Sequence, residues 1–287
     1  MKISIASLLF VLLSLVATEA QHSVVMDTES MYSEILGSDR NYAVYLPPDY
    51  ETSTRSYPVL YLLHGAGDDQ TGWVQFGEIR RIADTAISNG TATPMIVIMP
   101  DADTGRRGYY NTLRDSWRYE DFFFDELMPY VENKYRIKGE KRYRAVAGLS
   151  MGGGGTFVYA LHRPELFSSA CPLSAYVGAL SLEAGKWLLT EEEKMIPNEE
   201  LQAYFDTNNA LALIQSGDPD KIKSVRWYID CGDDDFLYEG NSLVHIEMMN
   251  QEIPHEYRVR DGAHNWTYWR QSLPEVLHFV SQAFHQY

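Results

Sequence analysis

The chain has 287 residues, of which 45% are hydrophobic and 22% charged, so it can bury a full globular core. Its formal net charge of −16 creates a field that repels the phosphate backbone of nucleic acids. It has two cysteines and no Cys-x-x-Cys pair or His/Cys cluster at zinc spacing, which argues against a disulfide scaffold and structural zinc. We therefore expect a globular protein with no nucleic-acid partner and no metal.

The amino terminus has the pattern of a secretory signal peptide. Lys2 is followed by an apolar run over 3–16 and by small residues that end at Ala20, where we predict cleavage. A membrane anchor is the alternative, but the apolar run is shorter than the roughly 20 residues that a spanning helix needs. The sequence thus predicts a signal peptide over 1–20, a mature protein over 21–287 without a membrane span, and a secreted or periplasmic location.

Strand and helix patterns alternate through the rest of the chain. The first predicted strand, at 42–46, ends at Pro47 and Pro48, so we place it near an edge of the sheet. Continuous apolar runs at 59–63 and 95–99 predict central parallel strands that are covered on both faces. Further strands are predicted at 143–147, 168–173, 225–229 and 256–259.

Helices are predicted between these strands, where apolar residues recur at helical spacing. They span about 79–87 and 123–131, and a closing helix begins at about residue 266. Alternating strands and helices predict an α/β fold with a mainly parallel central sheet flanked by helices. The segment 177–223 is longer than the earlier connections and predicts a helical insertion before the strand at 225–229. Such an insertion either shapes substrate access or is a structural excursion.

The pentapeptide 148–152 reads Gly-Leu-Ser-Met-Gly and lies between a predicted strand and a predicted helix that opens with glycines 153–155. This is the context of a nucleophile elbow, in which a serine occupies a sharp turn and neighbouring glycines let strand and helix approach each other. The helix amino terminus behind Ser150 favours a developing negative charge. Ser150 is therefore the candidate nucleophile, and a glycine-rich packing turn is the alternative.

A serine nucleophile needs a base, and the partners of such an elbow follow it in the order acid, then histidine. His264 lies in the loop after the last predicted strand, where the base is expected. The loop after the strand at 225–229 offers four carboxylates for the acid, and position alone does not choose among them. They are Asp230, Asp233, Asp234 and Asp235. A calcium-binding acidic loop is a competing interpretation.

The tetrahedral intermediate of acyl transfer also needs hydrogen-bond donors. One donor is expected to be the backbone N–H of Met151, directly after the nucleophile. The other is expected in the loop 64–67, which follows the strand at 59–63. His64 is interpreted as a residue that orients this loop, and a second base is the alternative.

Five motifs in chain order carry a resemblance to a known family. They are Tyr45-Leu46-Pro47, the blocks 57–65 and 147–153, Cys231-Gly232-x-x-Asp235-Phe236, and the block 262–266. Together they resemble the esterase D and carbohydrate-esterase group of α/β-hydrolases, which includes feruloyl esterases, acetyl xylan esterases and mycolyltransferases of the antigen 85 type. The resemblance covers residue 23 to the carboxyl terminus. It implies an α/β-hydrolase fold, a single esterase domain over 21–287 and no cofactor.

The resemblance also implies roles for individual residues. Because the acid of the family follows Cys-Gly-x-x, it selects Asp235. Ser150 is then the nucleophile, His264 the base, and the oxyanion hole is formed at Ala66 and Met151.

An exported member of this family is similar to enzymes that remove acyl or feruloyl groups from plant polysaccharide, so the implied substrate is a polysaccharide-linked or small ester. Aromatic residues predicted after strand ends are candidates to stack on a sugar or phenolic ring, with packing as the alternative for each. They are Tyr109, Tyr110, Trp117, Tyr176 and Trp266.

Three hypotheses of function follow. The first is a secreted serine carboxylic-ester hydrolase acting on acyl or feruloyl esters of xylan through a Ser-His-Asp triad and an acyl-enzyme. The second keeps the site but transfers the acyl group to a carbohydrate hydroxyl. The third is a non-catalytic carbohydrate-binding homologue, which predicts a broken triad. Cys171 and Cys231 lie on neighbouring predicted strands and are either paired or buried thiols.

Overall fold

The structure is a computed structural model that describes residues 22–103, 108–114 and 116–285. The predicted signal peptide at 1–20 lies outside the described residues. The described part of the chain forms one sheet. Its strands are β1 (Val24–Ser33), β2 (Ser38–Leu46), β3 (Val59–Leu63), β4 (Ile96–Pro100), β5 (Arg144–Leu149), β6 (Ser169–Leu173), β7 (Arg226–Gly232) and β8 (His255–Arg260).

The strand order is β1-β2-β4-β3-β5-β6-β7-β8. The β1–β2 and β2–β4 pairs are antiparallel and the other pairs are parallel, which confirms the mainly parallel sheet. The expectation that the strand at 42–46 lies near an edge of the sheet is confirmed. β2 pairs with both β1 and β4, so it is second from the edge and β1 is the edge strand.

Helices connect the strands and cover the sheet. They are α1 (Gly72–Gln75), α2 (Ile79–Ser88), α3 (Tyr119–Asp121), α4 (Met128–Lys134), α5 (Met151–His162), α6 (Leu182–Gly185), α7 (Asn198–Thr207), α8 (Ala210–Ser216), α9 (Pro219–Lys223), α10 (Tyr238–Asn250) and α11 (Trp266–His285). A π-helical segment, Phe122–Leu127, joins α3 to α4. The helices predicted at 79–87, 123–131 and from 266 are confirmed.

The alternation of side chains along β3 shows why the sheet has helices on both faces. Val59, Tyr61 and Leu63 enter one apolar cluster, whereas Leu60 and Leu62 enter the other. The first cluster includes residues of the π-helical segment and of α5, and the second includes residues of α2 and α11. A strand buried on both faces has no polar face to show, which explains the continuous apolar run.

The segment 177–223 is helical, as predicted, and holds α6 to α9. Its first part has a small apolar cluster of its own, formed by Leu189, Ile196, Leu201 and Phe205. The two ends of this part meet, because the N–H of Ala210 donates to the carbonyl of Val177 at 2.7 Å. A Cβ on Gly178 would lie 2.8 Å from Cα of Asn209, so the closure also needs glycine there.

Both cysteines are buried free thiols in the structure, so they are not paired. Among the residues that the structure describes, no helix has the length and apolar character that crossing a membrane requires. The parallel strands β3, β5, β6, β7 and β8 all end at the same edge of the sheet, where binding sites of open α/β sheets form.

Candidate active site

Ser150 occupies a strained turn between β5 and α5. Its backbone angles are φ +54° and ψ −116°, in a region that residues other than glycine rarely adopt. Its N–H donates to the carbonyl of Leu173 on β6 at 2.9 Å, and its carbonyl accepts from the N–H groups of Gly154 at 3.0 Å and Tyr176 at 2.9 Å. Hydrogen bonds to β6, to α5 and to the chain after β6 thus hold the strained conformation in place.

The glycines on either side of Ser150 leave no room for a side chain. A Cβ on Gly148 would lie 2.5 Å from the carbonyl oxygen of Gly152 and 2.7 Å from Cβ of Leu63. A Cβ on Gly152 would lie 2.6 Å from the carbonyl oxygens of Leu63 and His64. Strand β5, helix α5 and the end of β3 therefore meet backbone to backbone, which confirms the reason given for the glycines.

Gly148→Ala is expected to lower the free energy of unfolding by about 3 kcal/mol or more, because backbone atoms cannot rotate away from the added methyl. Urea unfolding measures this loss. Gly37→Ala is the control: Gly37 has φ +63° but no atom within 4 Å of the position that an added methyl would take, so about 1–2 kcal/mol of conformational cost is expected. Equal losses in the two variants would contradict steric contact at the elbow.

The structure brings Ser150, His264 and Asp235 into one hydrogen-bonded chain. Nε2 of His264 lies 2.9 Å from Oγ of Ser150, and Nδ1 lies 2.8 Å and 3.0 Å from the two carboxylate oxygens of Asp235. Since the carboxylate accepts at Nδ1, that nitrogen carries the proton and Nε2 is free to accept the serine proton. This is the tautomer that a base for Ser150 requires.

The Asp235 carboxylate is buried and firmly held. Burial alone raises its pKa, but hydrogen bonds from His264, from the N–H of Leu237 and from the hydroxyl of Ser174 outweigh this, so the pKa lies below its usual value. Ser174 also accepts a hydrogen bond from Nε1 of Trp269 at 3.0 Å. The acid is thus ionised and fixed in place at neutral pH.

The other acids of this loop have different partners. Asp230 is fully buried, accepts from the hydroxyl of Tyr228 at 3.1 Å and contacts Tyr268 and Arg260. Its charge is therefore held by groups other than the histidine.

Asp233 and Asp234 of this loop and Asp261, which follows β8, are exposed, and oxygens of the three approach within 4.8 Å of one another. One of them, Asp233, accepts from the N–H of Gly262 at 3.0 Å. Calcium takes about six to eight oxygen ligands, more than these three carboxylates would supply with one oxygen each. Exposed acids often approach this closely without an ion, and the calcium interpretation gains no further support.

Aromatic rings surround the imidazole of His264. The ring of Phe236 lies 4.5 Å from it and is 71% exposed, and the ring of Trp269 meets it edge to face at 4.9 Å. Trp269 packs in turn against Trp266 at 5.3 Å. These apolar neighbours limit the access of water to the imidazole from two sides.

The loop after β3 lies against the elbow, since a Cβ on Gly65 would be 3.4 Å from Cβ of Ser150. His64 is buried, and burial lowers its pKa although the Gly65 carbonyl and Asp101 oppose this. Its Nε2 accepts from the N–H of Ala102 at 3.0 Å, so Nδ1 donates to the carbonyl of Gly65 at 2.9 Å. Because a trans peptide points its C=O and N–H in opposite directions, this bond orients the N–H of Ala66.

His64→Leu is expected to lower kcat for ester hydrolysis about 100-fold with little change in KM, because the Ala66 donor is no longer oriented. His64→Asn keeps a donor for the Gly65 carbonyl and should recover about tenfold of that loss. Steady-state kinetics on a small ester measure both variants. Equal losses in the two, or a change in KM alone, would contradict an orienting role.

Trp117, Trp266 and Tyr176, three of the predicted aromatic residues, differ in position. The ring of Trp117 is 5% exposed, packs near Tyr119 and lies under the guanidinium of Arg40, which are the contacts of a core side chain. Trp266 is partly exposed and borders the rings beside His264. Tyr176 is joined to the elbow through its backbone.

Sequence reasoning missed the residues that support the acid. Ser174 and Asn241 lie outside every motif, although Asn241 is buried and bonds both the N–H and the carbonyl of Ala175, at 3.3 Å and 2.9 Å. The one feature of the sequence that could have indicated a role for Ser174 is its position, as a polar residue directly after a buried strand.

Residues 33–280 match the model of a family described as "Putative esterase". The chain belongs to this esterase family. Among solved structures, a ferulic acid esterase has a TM-score of 0.81 at 34% identity and covers 92% of this chain and 99% of its own. The fold predicted from the motifs, an α/β-hydrolase, is confirmed by this match.

Curated relatives of the esterase family also match. An endo-1,4-beta-xylanase/feruloyl esterase of Xylanibacter ruminicola is 30% identical over 86% of this chain, and an acetyl esterase of Caldicellulosiruptor saccharolyticus is 23% identical over 88%. The chain spans 97% of the acetyl esterase but 30% of the xylanase/feruloyl esterase. It also spans 51% of an esterase of Mycobacterium tuberculosis that is 31% identical.

Proposed function

We propose that the protein is an exported serine esterase that removes feruloyl or acetyl groups from plant polysaccharide such as xylan. The observation that carries the proposal is the hydrogen-bonded chain from Ser150 through His264 to Asp235, at the edge of the sheet where the parallel strands end. It occurs in a member of an esterase family, on a turn that presents the serine in a strained conformation.

In the proposed mechanism, Oγ of Ser150 attacks the ester carbonyl while Nε2 of His264 takes its proton. The N–H groups of Met151 and Ala66 bind the oxyanion. When the tetrahedral intermediate collapses, the imidazolium gives its proton to the leaving alcohol and the acyl group stays on Ser150. Water then attacks with the same base, and a carboxylic acid leaves. Asp235 holds the imidazole tautomer and stabilises its charged form throughout.

The substrate class is proposed from the named relatives and from the surroundings of the site. Relatives are called ferulic acid esterase, xylanase/feruloyl esterase and acetyl esterase, and these names describe those proteins. Here the exposed ring of Phe236 lies beside His264, and the partly exposed Trp266 packs on Trp269, which contacts His264. Both rings offer apolar surfaces to a sugar or phenolic ring.

Export is proposed from the signal-peptide pattern at residues 1–20. A polysaccharide substrate outside the cell agrees with this location. The net charge is −16, and the sequence has no cluster of basic residues that would bind phosphates. We therefore propose no nucleic-acid partner.

The test uses purified protein over residues 21–287 with feruloylated arabinoxylan, acetylated xylan and p-nitrophenyl acetate. Release of ferulate or acetate from the polysaccharides, together with cleavage of the small ester, is the expected result. No release from any of the three would refute the esterase proposal. A second incubation with a carbohydrate acceptor distinguishes hydrolysis from transfer, because new acylated sugar in place of free acid would indicate a transferase.

A further inference from the structure

Asp230 is a buried carboxylate that the proposed mechanism does not use. It lies on β7 and is fully buried. Its carboxylate accepts from the hydroxyls of Tyr228 and Tyr268 and pairs with the guanidinium of Arg260. Burying a carboxylate is unfavourable unless an ion pair and hydrogen bonds compensate for the lost water, as they do here. The positions of these partners in the chain therefore indicate its role.

Two of the partners stand at the two ends of the loop that carries His264. Arg260 is the last residue of β8, four residues before the histidine, and Tyr268 lies in the first turn of α11, four residues after it. The Asp230 carboxylate thus joins the strand before this loop to the helix after it. Arg260 makes a second link to the helix, because its Nη2 also donates to the hydroxyl of Ser272 at 2.6 Å.

The ring of Tyr268 lies directly on this loop. A Cβ on Gly262 would be 2.5 Å from Cδ2 of the tyrosine, so the ring touches the backbone two residues before His264. The N–H of Tyr268 donates to the side-chain oxygen of Asn265, directly after the histidine, at 3.1 Å. Tyr268 therefore contacts the loop on both sides of His264, and its bond to Asp230 fixes where the ring lies.

The main chain of Asp230 leads to the acid. Its carbonyl accepts from the N–H of Ser174 at 2.7 Å, and Ser174, which has φ +43°, donates its hydroxyl to Asp235. The same hydroxyl accepts from Nε1 of Trp269, whose ring meets the imidazole of His264 edge to face. One residue is thus linked to the acid through its carbonyl and to the base-carrying loop through its carboxylate.

A chemically similar cluster elsewhere in the sheet has no such connection. Glu132 on α4 accepts from the hydroxyl of Tyr61 at 3.0 Å and pairs with Arg144 at 2.6 Å. Arg144 is the first residue of β5, so this cluster lies at the amino end of that strand, and Tyr61 belongs to the apolar cluster on the face opposite α11. The Glu132 cluster therefore provides a comparison with the same kinds of bond away from the site.

We propose that Asp230 is a positioning residue for the base: its carboxylate holds Arg260 and Tyr268, and through them the loop that places Nε2 of His264 against Ser150. The inference rests on the proposed esterase function and adds a residue to the support of the same site. Because the carboxylate is fully buried and bonded to other groups, it acts on the reaction only through His264. A displacement of about 1 Å at the base is enough to lower the rate about 100-fold.

The test measures hydrolysis of p-nitrophenyl acetate by Asp230→Asn and Tyr268→Phe, each made in the wild type and in His264→Ala. In the wild type we expect kcat to fall about 100-fold for Asp230→Asn and about tenfold for Tyr268→Phe, with little change in KM. In His264→Ala neither substitution should lower the residual rate above the uncatalysed reaction any further, because the group that they position is gone.

Tyr61→Phe and Glu132→Gln are the matched controls, since they remove the same kinds of bond from the Glu132 cluster. They should lower the thermal midpoint, as the variants at Asp230 and Tyr268 do, but leave kcat close to that of the wild type. If Asp230→Asn does not fold, Tyr268→Phe and Tyr61→Phe make the same comparison without it.

Three outcomes would overturn the positioning role while leaving the esterase intact. They are an unchanged kcat in Tyr268→Phe, an equal loss of kcat in the controls, and a loss in the His264→Ala background as large as that in the wild type. If the wild type cleaves no ester, the proposed function itself fails and this inference falls with it.

Discussion

Ser150→Ala is expected to lower kcat for ester hydrolysis by about 10⁶-fold, with little change in stability. The hydroxyl that His264 holds at 2.9 Å is the only group at the elbow able to form the acyl-enzyme, so the variant loses the covalent route. The fold should tolerate the change, because the hydrogen bonds that hold the strained turn come from the backbone of Ser150. Steady-state rates on a p-nitrophenyl ester measure the loss.

Mass spectrometry of protein quenched during turnover gives an independent readout. Wild type should carry one acyl group on the peptide that contains Ser150, and the variant should carry none. Undiminished hydrolysis by the variant would exclude Ser150 as nucleophile. An acyl group on a different residue would move the mechanism to that residue.

Asp235→Asn is expected to lower kcat by about 10⁴-fold, because an amide favours the wrong tautomer of His264 and cannot stabilise the imidazolium. Asp233→Asn is the control from the same loop: its carboxylate accepts from the N–H of Gly262 and does not contact the histidine. We expect its activity to stay within a few fold of wild type. The reverse outcome, with the large loss in Asp233→Asn, would assign the acid to Asp233.

The lowered pKa of Asp235 also predicts how the stability difference between wild type and Asp235→Asn depends on pH. Hydrogen bonds lower that pKa in the folded protein, so the stabilisation is complete above the unfolded value near 3.8 and is lost as pH falls through the folded value. The difference in thermal midpoint between wild type and Asp235→Asn should therefore be constant near neutral pH and shrink in strong acid. A difference that grows in acid would contradict the lowered pKa.

The strands and turns that could be predicted are those whose burial produces a simple pattern of residue types in the sequence. β3 and β4 are apolar throughout because helices cover both faces, and the elbow follows from its glycines. β1 was not predicted, because it lies at the edge, most of its residues are at least partly exposed, and its register shifts between Met26 and Glu29. An edge strand of this kind depends on its partner more than on its own composition.

The candidate site was predicted to the level of single residues only where a motif applied. Position in the chain left four aspartates as candidates for the acid that pairs with His264. The structure distinguishes them by tertiary contacts that no local sequence pattern encodes, such as that of Asp230 with Arg260. Ser174 and Trp269 support the acid through tertiary contacts, so their roles needed the folded chain. Trp117 shows the limit of reasoning from residue type, since its ring packs in the core.

The closed first part of the insertion has a consequence for how this protein can be altered. Its two ends are joined by hydrogen bonds from the N–H of Ala210 to the carbonyl of Val177 and from the side-chain amide of Asn209 to the carbonyl of Ala179. Four of its buried apolar side chains form a cluster of their own. Residues 178–209 therefore form a cassette, and we expect its exchange with that of another family member to leave the turn at Ser150 in place. Such grafts offer a way to vary the insertion and its apolar cluster while Ser150, His264 and Asp235 stay constant.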